Sequence, residues 1–176
     1  MRKIIFKKSD NVIILGVDPG LALVGYGIIE VIGNRYKYIT HGVIKTEAGV
    51  PFQNRLKKIY EEMTEIVIKY KPEDIAFEEL FFNKNIKTAI TVAQARGVEV
   101  LVASTFTENI YEYTPLQVKQ AIVGYGRAEK KQVQEMTKMI LNLKEIPKPD
   151  DAADALAIAI THANSINFKE SFLMKW

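Results

Sequence analysis

The chain has 176 residues, 48% apolar and 26% charged, which suits one compact domain with a substantial core and excludes wholesale disorder. It has no cysteine, so disulfides, thiolate nucleophiles and cysteine-held zinc are excluded, and no apolar run reaches bilayer-spanning length. The formal net charge of +3 is a slight basic excess, which Arg2, Lys3, Lys7 and Lys8 against Asp10 already supply.

Residues 1–11 therefore read as a basic extension. Its apolar centre, Ile4-Ile5-Phe6, is too short for a signal peptide, and the expected location is cytoplasmic with no membrane partner. Val12 to Val17 is a continuous apolar run, as expected of a strand buried on both faces, and it stops at the turn Asp18-Pro19-Gly20. A second strand is expected over Leu21 to Ile32 and a third from Tyr36 to Lys45, joined at Gly33-Asn34. Phe52 to Tyr70 has helical periodicity, closed by Lys71-Pro72.

Glu73 to Glu78 reads as a short strand after that helix, the crossover that a parallel pairing needs. A long helix is expected over Ile86 to Ser104 and a fifth strand over Asn109 to Tyr113. Helices follow at Pro115 to Val123, Lys130 to Leu143 and Asp151 to Ala163. Hairpin-linked strands followed by alternating strands and helices describe an α/β domain on a mixed five-stranded sheet.

Four acids stand out by position. Asp18 ends the most apolar strand, although Asp before Pro-Gly is also an ordinary turn residue. Glu78 and Glu79 end a later strand, where ligand sites of open α/β sheets gather, and the pattern alone does not choose between them. Asp151 and Asp154 are three apart and share one face of an apolar helix, with Asp150 better suited to capping it. An unpaired acid inside such a helix is expensive, and converging carboxylates are the oxygen donors that Mg²⁺ takes. No Ser-His-Asp arrangement is visible, and His41 and His162 read as structural.

Six segments, in order, resemble the RuvC family of Holliday junction resolvases. They are Ile14-Leu15-Gly16-Val17-Asp18-Pro19-Gly20 with Gly25-Tyr26-Gly27, Ala76-Phe77-Glu78-Glu79-Leu80-Phe81, Gln94-Ala95-Arg96-Gly97-Val98, Gln117-Val118-Lys119-Gln120, Ala128-Glu129-Lys130, and Asp151 through Ala159. The resemblance implies an RNase H-like nuclease domain over 12–165, followed by a tail at 166–176. It implies a homodimer that nicks opposing strands of a four-way DNA junction, with the branch-migration proteins RuvA and RuvB as partners. It also selects Glu78 over Glu79 and gives Asp18, Glu78, Asp151 and Asp154 the metal-binding role. Two Mg²⁺ ions, with Mn²⁺ as a substitute, would then activate water and stabilise the leaving oxygen.

By the same resemblance Lys119 and Lys130 contact DNA near the scissile phosphate, and Phe81 stacks on bases at the junction centre. Arg127, Lys131, Lys84 and Lys87 are further DNA candidates on charge and location. The Ile86–Ser104 helix carries two apolar stripes, one of Ile86, Ile90, Ala93, Gly97 and Leu101 and the other of Val92, Ala95, Val98 and Val102. One stripe serves the core; the second fits a subunit interface, the alternative being a helix sandwiched inside its own domain.

Three other functions compete. An actin-like ATP-handling protein needs further glycine-rich phosphate loops and a second domain, and the sequence shows neither. A junction-binding protein without nuclease activity is disfavoured by the presence of all four acids. A general RNase H-like nuclease is the closest rival.

Overall fold

The apolar run at the start of the chain becomes the centre of a sheet. The computed structural model describes residues 11–80, 86–166 and 171–174. Its elements are β1 (Asn11–Asp18), β2 (Leu23–Ile32), β3 (Arg35–Lys45), α1 (Phe52–Tyr70), β4 (Asp74–Glu78) and α2 (Ile86–Phe106). They continue with β5 (Ile110–Tyr113), α3 (Pro115–Val123), α4 (Lys130–Ile140) and α5 (Asp150–Ser165). Among the described residues the sheet order is β3-β2-β1-β4-β5. The β1–β2 and β2–β3 pairs are antiparallel hairpins, while β4 joins β1 and β5 in parallel.

Helices cover both faces, which explains why β1 lacks a polar face. On one side α1 and α2 close over Leu15, Val17, Ile28, Ile75 and Phe77. On the other, α5 lies across the sheet over Ile14, Ile29 and Ala76, with α3 and α4 packed outside it. The Asp151–Ala163 run is apolar all round because α5 is enclosed between sheet and helices.

Differences from the expected boundaries have local causes. The second strand begins at Leu23 because Leu21 and Ala22 turn aside, their carbonyls accepting from the hydroxyl and N–H of Thr46. The α2 helix runs on to Phe106, where the Thr107 N–H still reaches the Ala103 carbonyl. The α4 helix stops at Ile140 rather than Leu143. Asn142 there adopts a left-handed φ of 51°, and the Leu143 N–H folds back to Lys138. Pro149, not an aspartate side chain, precedes α5, so Asp150 sits in the first turn without capping it.

Candidate active site

Strand alternation decides where the acids point. In β1, Leu15 and Val17 face α1 and α2, so Ile14, Gly16 and Asp18 face α5. In β4, Ile75 and Phe77 take the first face, leaving Ala76 and Glu78 on the α5 side. Val17 pairs with Phe77 in parallel register, so Asp18 and Glu78 lie abreast at the strands' carboxyl ends, close enough to share a hydrogen bond. Glu79 acts instead on Glu112, which pairs with Arg96 of α2 on the opposite face of the sheet from α5.

Glycines bring the remaining acids to this edge. A Cβ on Gly25, the register partner of Asp18, would lie 2.1 Å from the Asp151 carbonyl oxygen. One on Gly16 would lie 2.1 Å from the Ala155 carbonyl. The sheet thus offers bare backbone to α5, which runs antiparallel to β1 and sets its first two turns over Asp18. Side chains there would hold the helix, and its acids, farther away.

The gathered carboxylates repel. Burial, then the charges of Glu78, Asp154 and Asp151, push the Asp18 carboxyl up to about 9. Burial and Asp154 raise Glu78, against the opposing pull of Asp18, Lys130 and Lys119. Burial likewise raises Asp154, which Lys130 partly offsets through a contact of 2.8 Å. The same ammonium lies 3.4 Å from Asp150. Burial acts to lower the pKa of Lys130, but the pairing with Asp154 outweighs it and the pKa rises.

Beside these acids is a cleft of about 240 Å³, lined by Glu78, Asp154, Lys119 and Lys130 above the apolar Val118, Val133 and Ile158. Acids and two ammonium groups in one recess suit a phosphodiester and its counter-cations. The donors are hard oxygens throughout, the set Mg²⁺ prefers, and a cation would offset the burial and repulsion that raise the Asp18 pKa. Among the described residues no three ligands are already closed on one point. The acids are assembled but open, with Lys130 resting on Asp154.

Lys119 and Lys130 line this cleft. Arg127 and Lys131 line a separate concavity beside α4 with Glu129 and Glu135. Phe81 and Lys84 lie outside the described residues. His162 is fully buried, bonded to the Tyr113 hydroxyl at 2.8 Å and to Asp74 at 2.9 Å, a structural role as expected. His41 contacts only the Tyr38 hydroxyl among the described side-chain bonds, and burial lowers its pKa. Sequence reasoning passed over Glu99, which accepts the Gly20 N–H of the Asp18–Gly20 turn. Its signal was a lone acid within Val98-Glu99-Val100-Leu101-Val102.

Residues 14–162 match the family model described as Crossover junction endodeoxyribonuclease RuvC. The protein of that name from Alkaliphilus metalliredigens is 56% identical over 163 residues, 93% of this chain and 99% of the relative. A Thermus thermophilus RuvC structure superimposes with a TM-score of 0.81 at 36% identity, covering 89% of this chain and 96% of the other. The T. thermophilus RuvC structure in complex with Holliday junction substrate gives a TM-score of 0.80 at 34% identity, with the same coverage.

Proposed function

This chain belongs to the RuvC family of crossover junction endodeoxyribonucleases, with their RNase H-like fold, and from that premise we propose how its residues cut the junction. Asp18, Glu78, Asp151 and Asp154 hold two Mg²⁺ ions, for which Mn²⁺ substitutes. Bound there, the ions supply an activated water and charge stabilisation at the leaving oxygen. The observation that carries this is the convergence of four acids from β1, β4 and α5 on one sheet edge, with Asp18 pushed up to about 9.

The chain's own residues do the rest. Asp18 must be ionised to act as a ligand, and cations next to it favour that form. Lys119 and Lys130 hold the phosphate in the cleft, and Lys130 exchanges its contact with Asp154 for a phosphate oxygen when DNA arrives. Arg127 and Lys131 extend the basic track along the neighbouring arm; Lys84 and Phe81 belong to the same reading, Phe81 by stacking on junction bases.

Cutting opposing strands symmetrically requires two such sites, hence a homodimer. Support comes from the outer face of α2, where Ile90 and Leu101 are 54% and 57% exposed on a stripe with Ala93 and Gly97. A Cβ on Gly97 would meet nothing within 4 Å, so its own chain does not require a glycine there. Close approach of a second α2 would. Cooperation with the branch-migration proteins RuvA and RuvB and a cytoplasmic location complete the reading; none of the described helices is long and apolar enough to cross a membrane.

The decisive test is Mg²⁺-dependent cleavage of a synthetic four-way junction beside a linear duplex and an RNA–DNA hybrid. Paired nicks in the junction alone are expected. Equal cutting of all three would reassign the chain as a general RNase H-like nuclease, the second reading that the acids alone allow.

A further inference from the structure

One acid of α2 serves neither the ligand set nor the surface. Glu99 is 0% exposed, between Ala95 and Val102 on the sheet-facing side of the helix. Its Oε1 accepts the Gly20 N–H at 3.4 Å, while its Oε2 is buried without a hydrogen-bond partner. Burial pushes this carboxyl up to about 8, against the opposing pull of the Gly20 amide and Arg96. Arg96 itself is paired with Glu112. As a packing group Glu99 is inferior to leucine or methionine, because a buried oxygen without a partner costs stability. What it supplies is an acceptor at the turn that carries Asp18.

The turn is anchored from two sides. Pro19 has no N–H, so Gly20 is the first residue after Asp18 whose amide can be held. Thr46, bonded in turn by Arg55, takes the carbonyls of Leu21 and Ala22. Glu99 takes the Gly20 amide from α2. We propose that Glu99 is a positioning residue: by gripping the Gly20 amide it fixes the Asp18–Gly20 turn against α2 and aims the Asp18 carboxylate at the metal position. This rests on the reading of Asp18 as a metal ligand. It also makes α2 a single rigid body touching the catalytic turn on one face and carrying the exposed Ile90–Leu101 stripe on the other.

The test compares E99M, which keeps the volume but removes the acceptor, with E99Q, which keeps an acceptor oxygen. Both are measured in the full chain for Tm, Mg²⁺ affinity by calorimetry without DNA, junction Kd without Mg²⁺, and single-turnover cleavage. E99M should hold or raise Tm and leave junction Kd within about twofold, while cleavage falls roughly tenfold and Mg²⁺ affinity weakens, as misplacement of a reacting group predicts. E99Q should recover most of both. The proposal is overturned if E99M cleaves and binds Mg²⁺ like wild type, or if E99Q is no better than E99M. It is equally overturned if Tm, junction binding and rate fall together, the pattern of a merely structural residue. Wild type that leaves the junction uncut would refute the resolvase reading instead, and unchanged Mg²⁺ affinity in E99M would still dispose of Glu99 on its own.

Discussion

Asp18 shows how burial and neighbouring charge make one carboxylate costly to ionise in the fold. An unfolded aspartate titrates near 3.8, whereas folded Asp18 keeps its proton to about 9. Between those values the folded state binds more protons than the unfolded one, so this group's contribution to stability declines as pH rises. A divalent cation binds the ionised form and opposes that decline. Without metal, the Tm difference between D18N and wild type should therefore widen in favour of D18N from about pH 6 to about pH 8.5. Added Mg²⁺ should raise the wild-type Tm more at the higher pH and leave D18N nearly unmoved. D18N should bind junctions and not cut them. A pH-independent Tm difference, or a cleaving D18N, would remove Asp18 from the ligand role. The residue was visible from sequence as an acid closing a buried run; its competing reading as a turn former was equally fair, because the triplet carries no record of neighbouring charges.

At the scale of elements, periodicity and punctuation were enough to place every strand and helix found among the described residues. The errors sit at ends, where one backbone bond decides: Thr46 delays β2 and the left-handed Asn142 halts α4. The assembly of elements was less legible. Nothing in the sequence gives Gly16 and Gly25 a packing role, yet each gives the room that lets α5 reach the sheet backbone. Gly25→Ala should displace the first turn of α5, costing about 1–3 kcal/mol of stability as overpacking does. Its activity should fall by more than the unfolded fraction explains, because Asp151 and Asp154 move with the helix. Chemical denaturation beside single-turnover cleavage measures both, and loss of activity strictly proportional to unfolding would deny the slot its role. The choice of Glu78 over Glu79, made from resemblance, has a physical basis in β4: only even-numbered residues there face α5.

For the whole molecule, the outer face of α2 is the surface on which the proposed dimer would form. The sequence divided that helix into two apolar stripes, and the structure buries Ala95 and Val102 while exposing Ile90 and Leu101. Leu101→Asp adds a charge to the exposed stripe without touching the core. It should yield a folded monomer by light scattering, with circular dichroism unchanged, and the paired nicking of one junction should become independent single nicks. A Leu101→Asp protein that remains dimeric would place the interface elsewhere.

Sequence by itself determined the elements and the family and nominated the acids, because hydrophobic period, turn chemistry and motif order are all local properties of the chain. Tertiary structure decided what those acids are to one another. The raised pKa of Asp18, the hold of Lys130 on Asp154 and the reach of Glu99 to Gly20 each join residues far apart in sequence. Burial and Coulomb interaction depend on distance and dielectric in the folded state, and neither is written in any local run of residues.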